Sequence, residues 1–366
     1  MNNQDSSENK IQIRNIWLLL LYASDLFKYS SIFKNISMGE KLDDIPNLVA
    51  KILIDSVKKR LRSNLSCKFH MREAILNRVR GKVDIIYTEC HQLLQQGKVA
   101  CKFEELTVNT QFNQYVLYAL ERISRNSYVN NQNRKDIIYL INTLKQLGVT
   151  DNITYNINNI CHQTGYQNYE DSMIITAAKL VLNMILPTEL DGNNSFLSHQ
   201  IDTKEFSKLF EKAIYGFYNV TLNKDDWEIK YQKILQWPIL KATSKIKDTL
   251  PEMNLDIVLY NKKRHHNIII DTKFKSILGK NQYNKEKLIS SDIYQIYSYV
   301  QAQALNATNN FNSITGILLY PTINEMIDES FEIQGQQGQR FRFATVDLNS
   351  GINEFKSQLL RLCNHI

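Results

Sequence analysis

The chain has 366 residues, 43% hydrophobic and 22% charged, the proportions of a folded protein. With 12 glycines and 5 prolines, those values exclude a mainly disordered chain, a collagen and long flexible linkers. Lys plus Arg outnumber Asp plus Glu by 44 to 37; the net charge of +7 permits an anionic partner such as nucleic acid but does not require one.

The length suggests two domains. Cysteines stand at 67, 90, 101, 161 and 363, with no CxxC, so reduced thiols are expected. Cys161-His162 has no second ligand pair at zinc spacing. The apolar run from Ile16 to Ala23 is far shorter than the roughly 20 residues of a bilayer span. Asn2, Asn3, Gln4, Asp5 and Glu8 precede it, unlike the basic start of a signal peptide. A cytoplasmic protein with no membrane partner is expected.

In chain order, residues 16–29 are predicted to form a buried helix. Residues 46–62 follow as an amphipathic one, with Leu48, Ile52, Val57 and Leu61 near helical spacing. Helices are also predicted over 111–125, 134–147 and 171–186, the last ended by Pro187. Turn residues Asp191-Gly192-Asn193-Asn194-Ser195 place a domain boundary at about 195. Asp202, with Glu205 three residues on, resembles a capping box. Phe206, Leu209, Phe210, Ala213, Ile214 and Phe217 then make a helical stripe. Residues 228–240 are extended. Strands are predicted over 255–260 and 267–274, joined by the turn Asn261-Lys262-Lys263-Arg264-His265-His266. A helix over 291–305 and strands over 313–320 and 341–348 complete the chain. The expected fold is an α+β module over 1–195 followed by an α/β domain with a mixed sheet over 196–366.

Asp271-Thr272-Lys273 ends the run Ile268-Ile269-Ile270. Strand period two puts Asp271 and Lys273 on one face. A hairpin would bring Asp256 of the preceding strand close to Asp271. Close carboxylates repel unless a cation lies between them, and Mg²⁺ suits hard oxygen ligands. Asp256 and Asp271 are therefore candidate metal ligands, and Lys273 could orient or help deprotonate a metal-bound water. A structural Asp–Lys ion pair is the alternative. Glu211, just off the stripe of its helix, is a candidate outer carboxylate, with a solvated face as its alternative. Gln295 and Tyr299 share a helix face, and Asp292 and Gln303 extend that polar line. Lys58-Lys59-Arg60 with Arg62, and Lys262-Lys263-Arg264 with His265-His266, are candidate phosphate contacts or solvated surface.

Asp256, Asp271-x-Lys273 and Gln295-x-x-x-Tyr299 resemble the PD-(D/E)xK (restriction-endonuclease-like) nuclease core, with Leu255 at the nominal proline position. Nearly the whole chain resembles the McrC family, the nuclease subunits of McrBC modification-dependent (methylcytosine) restriction systems. The likeness is carried by Ile13-Arg14-Asn15-Ile16-Trp17 with Leu20-Leu21-Tyr22-Ala23, and by Arg80-Gly81-Lys82-Val83-Asp84. It continues in Cys101-Lys102-Phe103-Glu104-Glu105 with Asn109-Thr110 and Asn113, in the run from Leu250 to Leu259, and in Leu319-Tyr320-Pro321. The resemblance implies a DNA endonuclease in which Asp256 and Asp271 bind Mg²⁺, Lys273 serves the attacking water and Gln295 supports the lysine or a phosphate. It implies double-stranded DNA and an McrB-like AAA+ GTPase hexamer as partners, with residues 1–195 docking into the ring and stimulating GTP hydrolysis. No G-x-x-x-x-G-K-[ST] occurs here, so GTP is expected to act only through that partner. Arg14 and Arg80 are candidates for stimulating it, with structural roles as the stronger reading. Two rivals remain: a non-catalytic DNA-binding activator of the GTPase, and a stand-alone nuclease with the same core.

Overall fold

The structure, a computed structural model, describes residues 10–28, 45–63, 65–150, 169–190, 195–197, 203–280, 285–306, 313–323, 325–334 and 338–364. The Cys161-His162 pair, the turn at 191–194 and the cap residue Asp202 lie outside them.

The chain divides into two compact units, one of Met1–Ile45 with Leu186–Ile366 and one of Pro46–Ile185. The expected division was continuous, 1–195 and 196–366. The difference comes from helix α1 (Ile13–Ala23). It is apolar nearly all round, and Ile16, Trp17, Leu18, Leu19 and Leu21 are buried. It packs on α2 (Thr203–Thr221) of the second half, where Tyr22 meets Phe217 edge to face at 5.5 Å. A helix this apolar belongs with the core that covers it.

That unit holds a six-stranded mixed sheet. Its strands are β1 (Trp227–Leu235), β2 (Met253–Asn261), β3 (His266–Thr272), β4 (Ser313–Pro321), β5 (Asp328–Glu332) and β6 (Gln339–Val346). The spatial order is β5-β6-β4-β3-β2-β1. β1, β2 and β3 form an antiparallel meander, while β3, β4 and β6 run parallel. Ile268, Ile269 and Ile270 of β3 are wholly buried, as expected for a central strand covered on both faces. Parallel strands need a crossover, and α3 (Ser290–Asn306) supplies it between β3 and β4. Ile296, Tyr299, Val300 and Ala302 of α3 share a core with Val258, Ile269 and Leu318. A last helix, α4 (Ile352–Asn364), meets α2 through Phe355 and Phe217, and Tyr218 Oη donates to the Leu359 carbonyl at 3.0 Å. The edge strand β5 and α4 were not expected, although Phe355, Leu359 and Leu362 of α4 are buried at helical spacing.

The other unit contains helices Gln111–Ser124 and Asn131–Gln146, nearly all of Ile45–Arg62, and most of Tyr169–Leu190, whose last turns cross the boundary at Ile185. The last runs past Pro187 rather than ending there; a proline in the final turn forfeits one backbone bond and leaves the rest. A three-stranded antiparallel sheet joins Lys68–Leu76, Lys82–Val83 and Val99–Thr107. No helix among the described residues is long and apolar enough to cross a membrane.

α3 sits close on β4 because Gly316 has no side chain. A Cβ there would lie 2.7 Å from Val300 Cγ2 and 2.8 Å from Ile296 Cγ1. Gly316→Ala should destabilise the fold by about 1–3 kcal/mol through overpacking, read as a lowered Tm. An unchanged Tm would mean that α3 shifts without resistance.

Candidate active site

Asp271 stands at the end of β3, on the same face as Ile269. Beyond the strand the chain stays held, because the Lys273 N–H donates to the Leu319 carbonyl of β4 at 2.9 Å. The last paired residues of β2 and β3 at this end are Ile257 and Ile270. There Asp256 takes over from the backbone: its Oδ2 accepts from Thr272 N (2.8 Å) and Thr272 Oγ1 (3.0 Å). Across β2, the register with β1 passes from Tyr231–Ile257 to Lys233–Leu255. Gln232, between them, has left-handed backbone with φ of +48°, uncommon for a side-chain-bearing residue. The sheet is distorted where the acidic residues gather.

The hairpin thus brings Asp256, Asp271 and Lys273 together, as the strand pattern implied. Asp271 is 1% exposed. Its Oδ2 lies 2.7 Å from Lys273 Nζ. Its Oδ1 is buried without a hydrogen-bond partner among the described residues. Burial raises the Asp271 pKa, the Asp256 charge raises it further, and Lys273 offsets only part of this. Asp256 is raised too, chiefly by burial, with the Thr272 hydrogen bonds and Lys273 opposing. Burial works against the Lys273 ammonium, but the Asp271 and Asp256 charges outweigh it and hold the pKa above the ordinary lysine value.

The helices add neighbours. Gln295 of α3 accepts from Lys273 Nζ at 3.0 Å through Oε1, and its Nε2 donates to Tyr299 Oη at 2.8 Å. Glu211 of α2 is half-buried and accepts from Gln232 Nε2 at 3.2 Å. Burial and then the Asp256 charge raise its pKa, which places it in the field of the same site. A second network escaped the sequence reading. Lys275 Nζ lies 2.7 Å from Asp292 Oδ2, and Tyr320 Oη donates to that oxygen at 2.9 Å. Asp292 was noted only as part of a polar line. Lys275, two residues beyond Lys273, was the available signal.

Other candidates lie elsewhere. The basic turn 262–265 is at the opposite end of the hairpin from Asp271, where Lys263 pairs with Asp226 at 2.8 Å and Lys262 donates to the Lys224 carbonyl. Lys58, Lys59 and Arg60 pair with Asp136, Glu170 and Asp171. Carboxylates thus engage Lys58, Lys59, Arg60 and Lys263 of the groups considered for phosphate. Arg80 lies over the Phe103 ring, 4.1 Å from its centroid, and 3.6 Å from Glu105.

Among the described residues no group of three His, Cys, Asp or Glu is arranged to hold a metal. Asp256 and Asp271 could supply two hard-oxygen ligands, few enough to suit Mg²⁺, which keeps several waters. The unpartnered Asp271 oxygen and the mutual charge penalty of the pair fit a cation.

A family model described as McrBC 5-methylcytosine restriction system component matches residues 3–321. The chain is 24% identical over 332 residues to the type IV methyl-directed restriction enzyme EcoKMcrBC of Escherichia coli K12, covering 89% of this chain and 90% of that one. Two solved structures are similar at 14% identity. One, with a TM-score of 0.43, is a half-complex of Thermococcus gammatolerans McrB AAA+ hexamers with bound McrC, covering 96% of this chain and 76% of that one. The other, with a TM-score of 0.35, is the McrBC complex of the same organism, covering 58% and 60%.

The buried carboxylate gives a pH signature. A raised pKa means the folded state binds the proton more tightly than the unfolded one, so metal-free stability falls as pH rises above the ordinary carboxyl range near 4. Asp271→Asn should therefore raise Tm in EDTA at neutral pH by about 2–4 °C for each kcal/mol relieved. The gain should vanish near pH 4 and shrink when Mg²⁺ is added. Equal melting curves for the two proteins across pH would mean that the charge is already compensated.

Proposed function

This chain belongs to the family of McrBC 5-methylcytosine restriction system components, and on that premise we propose that it is the subunit that cuts DNA. The observation that carries the reading is the Asp271 carboxylate. It is 1% exposed, carries an unpartnered oxygen, and stands beside Asp256 and an ammonium at the end of the central strand. An ion pair serving stability alone would not recruit a second carboxylate that penalises the first. We read the hairpin, the D-x-K segment and the crossover helix with Gln295 as a PD-(D/E)xK core.

Asp256 and Asp271 would hold Mg²⁺. When bound, the ion supplies Lewis acidity at a phosphoryl oxygen and acidifies a water. Lys273 is held beside Asp271, where it would orient or help deprotonate the attacking water. Gln295, itself fixed to Tyr299, aims the Lys273 ammonium. Glu211 adds an outer carboxylate whose raised pKa suits it to accept a proton. The reaction is hydrolysis of a phosphodiester in double-stranded DNA.

The unit Pro46–Ile185 is read as the partner-engaging module. Its three-stranded sheet leaves Phe69, Met71 and Leu106 more than half exposed, with Phe69 and Leu106 paired in register. Apolar side chains gathered on one exposed face mark an interaction surface. The partner is an McrB-like AAA+ GTPase hexamer, which supplies GTP hydrolysis and reads the modified base.

Asp271→Ala should reduce cleavage of methylated plasmid by about 10³-fold or more, in Mg²⁺ and GTP with the AAA+ protein present, while leaving GTPase stimulation intact. Retained cleavage would remove Asp271 from the site. Cutting by the wild-type chain alone would favour a stand-alone nuclease, and no nicking in any assembly would favour a non-catalytic activator. Phe69→Glu should weaken stimulation of GTP hydrolysis about tenfold without changing the Tm of this chain. Undiminished stimulation would place the docking surface elsewhere.

A further inference from the structure

One face of α3 carries Asp292, Gln295, Tyr299 and Gln303, spaced by three, four and four residues. Three of them each hold a lysine. Asp292 holds Lys275 at 2.7 Å, Gln295 holds Lys273 at 3.0 Å, and Gln303 holds Lys233 at 3.2 Å through its Oε1. The first two ammoniums also have a carboxylate within ion-pair distance, Asp292 and Asp271. Lys233 has none among the described residues. Glu228, whose charge reaches it, is engaged by Lys230 at 2.8 Å.

Lys233 is half-buried, and its partner Gln303 is 5% exposed. Holding an ammonium in place with a buried neutral amide, without a counter-charge, is costly unless an anion arrives. Burial, and after it the Lys230 charge, pulls the Lys233 pKa below the ordinary value, a strain that an arriving anion would relieve. The position is also informative. Lys233 pairs in register with Leu255, the neighbour of Asp256. Eight residues of helix separate Gln295 from Gln303, about 12 Å at 1.5 Å per residue. One DNA strand advances about 3.4 Å per nucleotide along the duplex axis, so a helix lying along that axis would span roughly three nucleotides over this distance.

We propose that Lys233, aimed by Gln303, is a DNA-phosphate subsite that grips the backbone a few nucleotides from the bond being cut. It rests on the nuclease reading of the neighbouring carboxylates. α3 then serves both ends, steadying Lys273 at the reacting phosphate and Lys233 at a flanking one. Such a contact sets position and carries no sequence information.

The test is equilibrium binding of the full chain to a short unmethylated DNA duplex by fluorescence anisotropy, in EDTA, across a salt series. Lys233→Gln should lower the slope of log affinity against log salt by about 0.9. For one phosphate contact that slope is worth about eightfold in affinity at 0.1 M salt relative to 1 M. Lys233→Arg should restore both, which a loss of folding in Lys233→Gln would not mimic. An unchanged slope in Lys233→Gln, a failure of arginine to restore it, or no duplex binding by the wild-type chain would overturn the proposal. Cleavage by the wild type with Mg²⁺, GTP and the partner, run in parallel, separates the two readings. Cutting with an unchanged slope removes only the subsite; a changed slope without cutting removes the nuclease assignment and leaves the phosphate contact.

Discussion

A carboxylate with almost no access to water stands at the end of a central, buried strand, and its surroundings answer to it. Asp271 is 1% exposed and shares its field with Asp256. Burying one charge is expensive, and burying two of the same sign compounds the cost. The surrounding structure supplies what compensation it can. Lys273 comes back to 2.7 Å, and Thr272 gives Asp256 both its N–H and its hydroxyl. What remains uncompensated, including one Asp271 oxygen, is the part that a hard cation would take up.

The rest of the unit holds that arrangement in register. β4 grips the chain beyond β3 through the Leu319 carbonyl, so the strand end does not fray where the lysine begins. α3 is pressed onto β4 at Gly316, which fixes the distance from its polar face to the lysines. Gln295 is locked by Tyr299 before it meets Lys273. Rigid support of this kind limits the freedom of a long lysine side chain, whose rotamer entropy would otherwise blur its aim. In the proposed reading the same helix positions the hydrolytic lysine and a flanking phosphate contact.

Much of this was legible along the chain. The three isoleucines before Asp271 marked a central strand. Strand alternation put Asp271 and Lys273 on one face, and a hairpin was enough to bring in Asp256. The Phe206-to-Phe217 stripe fixed α2, and Gln295 with Tyr299 fixed one face of α3. These signals are local: each depends on a period of 2 or 3.6 over a few residues. The strands of the N-terminal half were harder. Phe69 and Met71 alternate with polar residues, yet they and Leu106 are exposed, so the short alternation there does not mark a buried face.

The residues alone therefore determined the central strand, the acidic pair with its lysine, and the family signature. Tertiary structure decided what depends on distant segments meeting. α1 lies some 180 residues from α2 in sequence, yet the two pack together and make the unit discontinuous. Asp292 found Lys275 and Tyr320, and Lys233 found Gln303, pairs separated by 17 to 70 residues. Lys58, Lys59, Arg60 and Lys263, in the basic runs that looked available for phosphate, proved to be paired with carboxylates, while Lys233, inconspicuous in sequence, was left without one among the described residues. Charge compensation falls off over a few ångströms, and only the folded chain sets which charges come that close.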